Sequence, residues 1–402
     1  MTQAVNVQND VDDDDLNDIF GRDTKYEAPS QRRKKEFSPW HRPRKQYVRE
    51  EQWCLEISAL VDSINFDGRP LRYIGLPGNE LFDLRTIHEL VCKPRQLPLK
   101  FLGFNNASGV EDDDGFELSL STVEVRELER VDGISKVMPD DFKSIGTPNS
   151  MAWNNAQRFG HFDVVNVDLC DGLFTARPAA TSESYYGAIK EIVNLQRQCG
   201  RGEPWLLFLT TRVGDNAVHP MTVEKLKLSI EQILLKCAAY AGTANRHLNF
   251  STMTEVEELL KTEKGFSEIF CSGMLNWLIG LGLSAQPLWK VALKSVWSYK
   301  VNPEAGYPDL MSFAIEFAPI QSRTIDNLGL TPGEKGKSIK LPDECSLASA
   351  VIPTIANALD VDAFLQANTS IREEYVEKSA VLYEKARYPS KEYRTWLTAN
   401  KY

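Results

Sequence analysis

The feature that most constrains the fold is the regular alternation of short apolar runs with stretches of helical spacing. Five such runs predict strands, and each carries glycine, asparagine or charged residues near its end. The runs are LRYIGLPG (71–78), LKFLGFNN (99–106), SKVMPDDF (135–142), FDVVNVDLCDGLF (162–174) and PWLLFLTTRV (204–213). Strands that alternate with helices predict a parallel sheet covered on both faces.

The pattern changes after a helical region from Glu255 to Leu283. The runs SVWSYKVN and LMSFAIEFAPI are separated by only a few polar residues, which predicts a hairpin and not a helical crossover. The stretch VEKLKLSIEQILLKCAAY predicts one long helix. The fold class expected is therefore a Rossmann-like doubly wound α/β sheet, with five parallel strands, a C-terminal antiparallel hairpin and a helical C-terminal appendage.

Charged runs and breaks in the strand–helix pattern divide the chain of 402 residues into four parts. Residues 1–36 form a charged arm, with the acidic run at 12–15 and the basic run at 32–35, and the arm is predicted to be disordered. Residues 37–67 form an aromatic and basic segment that ends in a lead-in helix from about Lys45 to Ser63. The Rossmann domain is expected over 68–321 and the helical C-terminal extension over 322–402.

Composition limits the class of protein. The net charge of −10 excludes a surface coated uniformly in basic residues. The seven cysteines are dispersed without metal-ligand spacing, which favours buried free thiols in a reducing compartment. No uninterrupted apolar run reaches the ~20 residues of a membrane span, and the acidic start is unlike a signal peptide. The expectation is a cytoplasmic protein with no metal and no membrane partner.

Residues at the strand ends are the candidates for a site, because ligands of open α/β sheets bind beyond the carboxyl ends of the strands. The first strand is followed by a loop with Gly75 and Gly78, and the third by Asp141-Phe142. With its element order, the chain resembles the class I S-adenosylmethionine-dependent methyltransferases from Gly68 to Ile320. The resemblance implies S-adenosylmethionine as a cofactor.

In that family the glycine loop holds the methionine moiety of the cofactor and an Asp–apolar pair contacts its adenine. The resemblance therefore implies that Gly75, Gly78, Asp141 and Phe142 bind the cofactor. Asn105 stands where the family usually has a ribose-binding acid, and Tyr73 replaces the usual acid before the glycine loop.

The fourth strand ends in Asp168-Leu-Cys-Asp171, where amino-methylating members carry Asp/Asn-Pro-Pro-aromatic. Asp168 and Asp171 are the catalytic candidates. Asp168 could accept a hydrogen bond or a proton from the methyl acceptor. The alternative is that these acids only cap the strand end. A nicotinamide-dependent dehydrogenase is disfavoured, because there is no GxGxxG motif and no acid ending the second strand.

The segment Trp40 to Arg49 interleaves aromatic and basic side chains. Trp40, Arg42, Arg44 and Lys45 are candidates for nucleic-acid contact through stacking and phosphate pairing. The alternative is a segment that packs its aromatics against the main domain.

Two functions remain open from the sequence. The first is methyl transfer to a nucleic acid or protein. The second is a catalytically inactive methyltransferase-like scaffold of a bacterial complex handling foreign nucleic acid, with the C-terminal helices as a surface for a protein partner. The departures at Tyr73 and Asn105, the absence of the Pro-Pro-aromatic motif, the helical tail and the charged N-terminal arm favour the second. Asp141-Phe142 with Asp168 favours the first.

Overall fold

The structure is a computed structural model. It describes residues 35–106, 113–169, 171–214, 216–284, 286–301, 306–320 and 342–400. Most of the predicted charged arm and the polar loop at 322–341 lie outside the described residues, as does Cys170.

One eight-stranded sheet organises the described chain. Its strands are β1 (Leu71–Gly75), β2 (Leu99–Phe104), β3 (Lys136–Met138), β4 (Val164–Asp168), β5 (Trp205–Arg212), β6 (Trp289–Tyr299), β7 (Leu310–Pro319) and β8 (Leu359–Asp360). The strand order is β3-β2-β1-β4-β5-β7-β6-β8. Strands β1 to β5 run parallel, and β7 is antiparallel to both β5 and β6. The predicted five parallel strands and closing hairpin are confirmed, and the fold is a methyltransferase-like Rossmann fold.

The register brings the predicted strand ends to one edge. Gly75 at the end of β1 pairs with Gly103 of β2 on one side and with Asn166 of β4 on the other. Asp168, the last residue of β4, pairs with Thr210 of β5. The sheet order reverses between β1 and β4, so these strand ends flank the crevice where open α/β sheets bind ligands.

Helices cover both faces of this sheet. They are α1 (Pro43–Tyr47), α2 (Leu55–Ser63), α3 (Phe82–Ile87), α4 (Asp113–Arg126), α5 (Met151–Phe159), α6 (Tyr185–Gln198), α7 (Pro220–Lys236), α8 (Ala238–Leu248), α9 (Met253–Leu259), α10 (Glu263–Leu283), α11 (Glu344–Ala356), α12 (Val361–Ala367), α13 (Thr369–Lys385) and α14 (Ser390–Ala399). A π-helical stretch, Val48–Cys54, joins α1 to α2, and a second, His88–Cys92, extends α3. The predicted lead-in helix is therefore present and begins two residues earlier than expected.

The two faces form separate apolar cores. On one face, Trp53, Ile57 and Leu60 of the lead-in helix pack with Leu84 and Phe208. On the other face, helices α5 to α8, α10 and α11 cover the sheet. Burying both faces explains why the parallel strands read as continuous apolar runs.

The prediction of one long helix over residues 223–240 is wrong in one respect. The chain forms two helices there, α7 and α8, which are separated at Cys237. The backbone of Cys237 is extended, and its Sγ accepts a hydrogen bond from the amide of Tyr240, which caps α8. A sulfur cap was not recognisable within an otherwise periodic apolar pattern.

The prediction of free thiols is also wrong for two cysteines. Cys237 and Cys345 form a disulfide across 108 residues of sequence, with their Cα atoms 5.7 Å apart. The packing of α11 against α8 brings these two residues within the usual disulfide range. Of the remaining cysteines, Cys54, Cys92 and Cys271 are buried free thiols, as expected.

The C-terminal extension is joined to the sheet. Its short strand β8 pairs in parallel with Trp297 and Ser298 of β6. Helix α10 is the one described helix long and apolar enough to cross a membrane, but 72% of its most apolar window is buried inside the protein. That helix is therefore a core element of the fold. The domain boundaries at 68–321 and 322–402 stay predictions.

Candidate active site at the strand ends

A nearly buried ion pair lies at the carboxyl end of β4. Lys45 of α1 places its Nζ 2.5 Å from Oδ1 of Asp168, and the two side chains are 11% and 16% exposed. The same ammonium lies 3.3 Å from the hydroxyl of Tyr299 and 4.7 Å from the ring centroid of Trp53. Burial alone would lower the pKa of Lys45, but the Asp168 carboxylate raises it above the usual range, so the side chain is an ammonium ion.

A second buried pair lies beside the first. Nε of Arg49 donates to Oδ1 of Asp83 at 2.7 Å, and both residues are buried. Burial raises the pKa of Asp83, while the Arg49 guanidinium opposes that rise. Asn166 of β4 approaches the other carboxylate oxygen of Asp83 at 3.5 Å. Two cations from the lead-in helix thus pair with two carboxylates, one at the end of β4 and one in the first turn of α3.

The glycine loop is built by close contacts. A Cβ at Gly75 would lie 2.4 Å from the carbonyl oxygen of Asn166, so β4 requires glycine there. A Cβ at Gly103 would lie 2.7 Å from Cγ of Pro77, so the proline ring covers the end of β2. At Gly78, by contrast, the nearest heavy atom to such a Cβ is 4.0 Å away. Gly78 is therefore the open position of the loop.

The remaining predicted cofactor residues, Asn105, Asp141 and Phe142, contact other residues of the protein. The amide nitrogen of Asn105 donates to the carbonyl of Pro77 at 3.0 Å. Asp141 accepts from the backbone amide of Lys143 at 2.9 Å and pairs with the Lys143 ammonium, yet its side chain remains 28% exposed. Phe142 is fully buried, with its ring edge-to-face against Phe104. The structure therefore brings Gly78 and Asp141 to the surface of the edge and places Phe142 in the core.

Asp171 is exposed, and its backbone carbonyl accepts from the amide of Arg212 at 3.4 Å. A cavity of about 320 Å³ opens beside it, at the end of β5. The residues that line it include Arg212, Asn216, Lys261, Phe266, Tyr307 and Asp309. This volume lies within the range of ligand clefts, and the cavity stands at the carboxyl edge of the sheet.

The N-terminal segment docks on the domain. Arg44 is buried, and its Nη1 donates to both carboxylate oxygens of Asp362, at 3.0 and 3.1 Å. Lys45 is buried against Asp168. Both charges have carboxylate partners inside the protein, and contact of these two residues with a nucleic acid stays a prediction. Trp40 is 62% exposed, and Arg42 donates to the carbonyl of Asn400. Nucleic-acid contact through Trp40 and Arg42 stays a prediction.

Sequence reasoning did not connect Lys45 with Asp168, nor Arg49 with Asp83. The first contact joins the lead-in helix to the carboxyl end of β4, the second joins it to α3, and no local spacing signals either. Among the described residues, no group of histidine, cysteine or acidic side chains is arranged to hold a metal ion.

The strand order defines a methyltransferase-like Rossmann fold. The chain belongs to the PP_RS20740-like family, whose profile matches residues 34–398. No curated protein sequence matches the chain.

Among solved structures, the chain is similar to one from Listeria monocytogenes named as a class I S-adenosylmethionine-dependent methyltransferase, at 10% identity and a TM-score of 0.34. The similarity covers 69% of this chain and 62% of that one, so the chain spans less than two thirds of that structure. The fold assignment rests on the strand order of the chain itself.

Proposed function

We propose that this protein is an S-adenosylmethionine-dependent methyltransferase whose methyl acceptor, a group on a nucleic acid or protein, docks against Asp168. The observation that carries the proposal is the nearly buried Lys45–Asp168 pair at the end of β4. A buried ion pair is poor support for stability, since desolvation offsets most of its attraction. Buried charged groups at a strand-end crevice are instead typical of functional sites.

The residues present fit the cofactor on one side of the crevice. Gly78 leaves open space beside the loop, and the partly exposed carboxylate of Asp141 retains lone pairs that can accept from an exocyclic amine. These two residues would hold the cofactor. When bound, the cofactor supplies an electrophilic methyl group.

The chain's own residues would then orient the acceptor. Lys45 fixes the carboxylate of Asp168 in one orientation, and that carboxylate accepts a hydrogen bond from the N–H or O–H of the acceptor and takes up its proton. The cavity lined by Arg212 opens at the same edge of the sheet and would receive part of the acceptor.

Methyl-transfer assays with radiolabelled S-adenosylmethionine test the proposal. Wild-type protein is incubated with bacterial RNA, DNA and protein fractions, and label is counted in each. We expect label in one fraction with the wild type and with Glu129→Gln, an exposed control carboxylate, and background label with Asp168→Asn. Equal labelling by Asp168→Asn would remove that residue from the mechanism.

A second candidate is a binding subunit that has lost methyl transfer. It is favoured by the closed side of the crevice, where Pro77 covers the end of β2 and Asn105 is hydrogen-bonded to the Pro77 carbonyl. The two candidates differ in cofactor affinity. Folded protein that gives no heat with S-adenosylmethionine favours the binding subunit, which would act with a protein partner in a bacterial complex handling foreign nucleic acid.

A further inference from the structure

The N-terminal residues before α1 are held by aromatic side chains from the C-terminal end of the chain. We call this group the aromatic clamp: Tyr383, Tyr388, Tyr393 and Trp396. The ring of Phe37 lies 5.0 Å from the ring centroid of Tyr393 and 5.8 Å or less from the other three. Aromatic pairs at these separations add stabilisation beyond the area they bury.

The aromatic clamp also forms hydrogen bonds with the backbone of this segment. The hydroxyls of Tyr383 and Tyr393 both donate to the carbonyl oxygen of His41. The His41 ring lies edge-on to Tyr383 and Tyr388, at centroid distances of 5.0 and 4.8 Å. His41 is four residues before Lys45, and only the extended Arg42 separates it from the start of α1, so the clamp holds the chain just before the helix that carries Lys45.

Further contacts attach the same helix to the C-terminal extension on both sides of Lys45. On one side, Arg44 forks onto Asp362, which also accepts the backbone amide of Lys300 at 2.7 Å. On the other side, Tyr375 donates to Glu51 at 2.5 Å, and Lys378 pairs with Glu50 at 2.7 Å. The C-terminal extension thus helps to hold the backbone that carries Lys45, together with the contacts of Arg49 and Gln52 to the main domain.

We propose that Tyr383 and Tyr393 are positioning residues for the strand-end site: by holding the carbonyl of His41, they keep the Lys45 ammonium on Asp168. The proposal rests on the proposed function for its catalytic consequence. A lysine side chain is long and flexible, so its end is placed accurately only when the backbone beneath it is fixed. Removal of both hydroxyls leaves the buried carbonyl of His41 without these donors and loosens this anchor.

The double variant Tyr383→Phe/Tyr393→Phe tests the proposal, because it keeps the rings and removes the hydroxyls. Trace acetylation followed by mass spectrometry reports the reactivity of each lysine amine. We expect Lys45 to become at least tenfold more reactive, with no change at exposed Lys93. The control is Tyr186→Phe, whose hydroxyl contacts Thr222 far from the clamp, and it should leave Lys45 protected.

Kinetics supply the functional arm. For the double variant we expect kcat for methyl transfer to fall about tenfold while the dissociation constant for S-adenosylmethionine is unchanged, since the cofactor residues are untouched. Unchanged Lys45 reactivity in a folded double variant overturns the proposal, as does a lowered kcat without increased reactivity. If the double variant does not fold, the single variant Tyr393→Phe replaces it. For that variant we expect a threefold increase in Lys45 reactivity and a threefold fall in kcat, and unchanged Lys45 reactivity overturns the proposal. A wild type that does not bind the cofactor contradicts the proposed function alone, because the labelling experiment needs no activity.

Discussion

The ammonium of Lys45 lies 2.5 Å from the carboxylate of Asp168, across 123 positions of sequence. One residue comes from the helix before the first strand and the other ends the fourth strand. The pair therefore locks the lead-in helix onto the carboxyl edge of the sheet. Desolvation makes such a pair costly to break, and the variants that break it give direct tests.

Removal of both members should destabilise the fold by less than the sum of the two single removals. Lys45→Met leaves the Asp168 carboxylate nearly buried without its cation, and we expect a loss of about 3 kcal/mol in the free energy of unfolding. Lys45→Met with Asp168→Asn should cost about 2 kcal/mol less than the sum of the single changes. Urea unfolding of the four proteins measures this coupling. Additive losses would show that the pair does not interact in solution.

The Arg49–Asp83 pair should give a pH-dependent effect. Burial raises the pKa of Asp83, so its contribution to stability is fully present below the unfolded pKa and is lost as pH rises through the folded pKa. Arg49→Met removes the cation that opposes this loss. We therefore expect Arg49→Met to destabilise the protein more at pH 8 than at pH 5, in matched urea titrations. A loss independent of pH would contradict a buried charged Asp83.

His41 should make docking of the N-terminal segment acid-sensitive. Burial, with Arg49 and Lys35 nearby, lowers the pKa of His41 to about 3. Because the folded pKa lies below the unfolded one, stability falls as pH drops from about 6.5 towards the folded pKa, by at most about 1.4 kcal/mol per pH unit. His41→Gln should flatten this slope between pH 6.5 and 4.5, whereas His247→Gln on α8 should not. Equal slopes for both variants would exclude His41 as the cause.

The contact between the glycine loop and β2 predicts a reciprocal pair of variants. Gly103→Ala drives a methyl group against the Pro77 ring, and we expect a loss of about 1–3 kcal/mol from overpacking. Adding Pro77→Ala removes the ring atoms that collide and should recover at least half of that loss. Thermal unfolding of the single and double variants measures the loss and the recovery of stability. No recovery would mean that the strain lies elsewhere, with the Val137 side chain as the next contact.

The sequence was sufficient for the positions and directions of the first seven strands, because buried parallel strands are continuous apolar runs and the hairpin has no room for a crossover. The short strand β8 was not predicted. The sequence was also sufficient for Gly75 and Asp168 as strand-end residues. The partners of Lys45 and Arg49 were not predictable, since interleaved bases and aromatics suit phosphate contact as well as burial. The pairing of Cys237 with Cys345 depends on helix packing between distant segments, which no local pattern encodes.

The lead-in helix shows the same limit. Its apolar residues predicted a helix, and the helix is present from Pro43 to Ser63 with a π-helical stretch in its middle. What the pattern could not show was that Tyr375 of α13 contacts Glu51 of this helix and that Tyr383 contacts His41 just before it. Docking of the segment at 35–63 on the C-terminal helices is a tertiary outcome of the whole fold.

Titration of the wild-type protein with S-adenosylmethionine in a calorimeter tests whether the protein binds the cofactor of a methyltransferase. A methyltransferase with its acceptor site at Asp168 predicts saturable heat at one site per chain, retained in Asp168→Asn and weakened at least tenfold in Asp141→Ala. Folded wild-type protein that releases no heat at millimolar cofactor would contradict the proposed function.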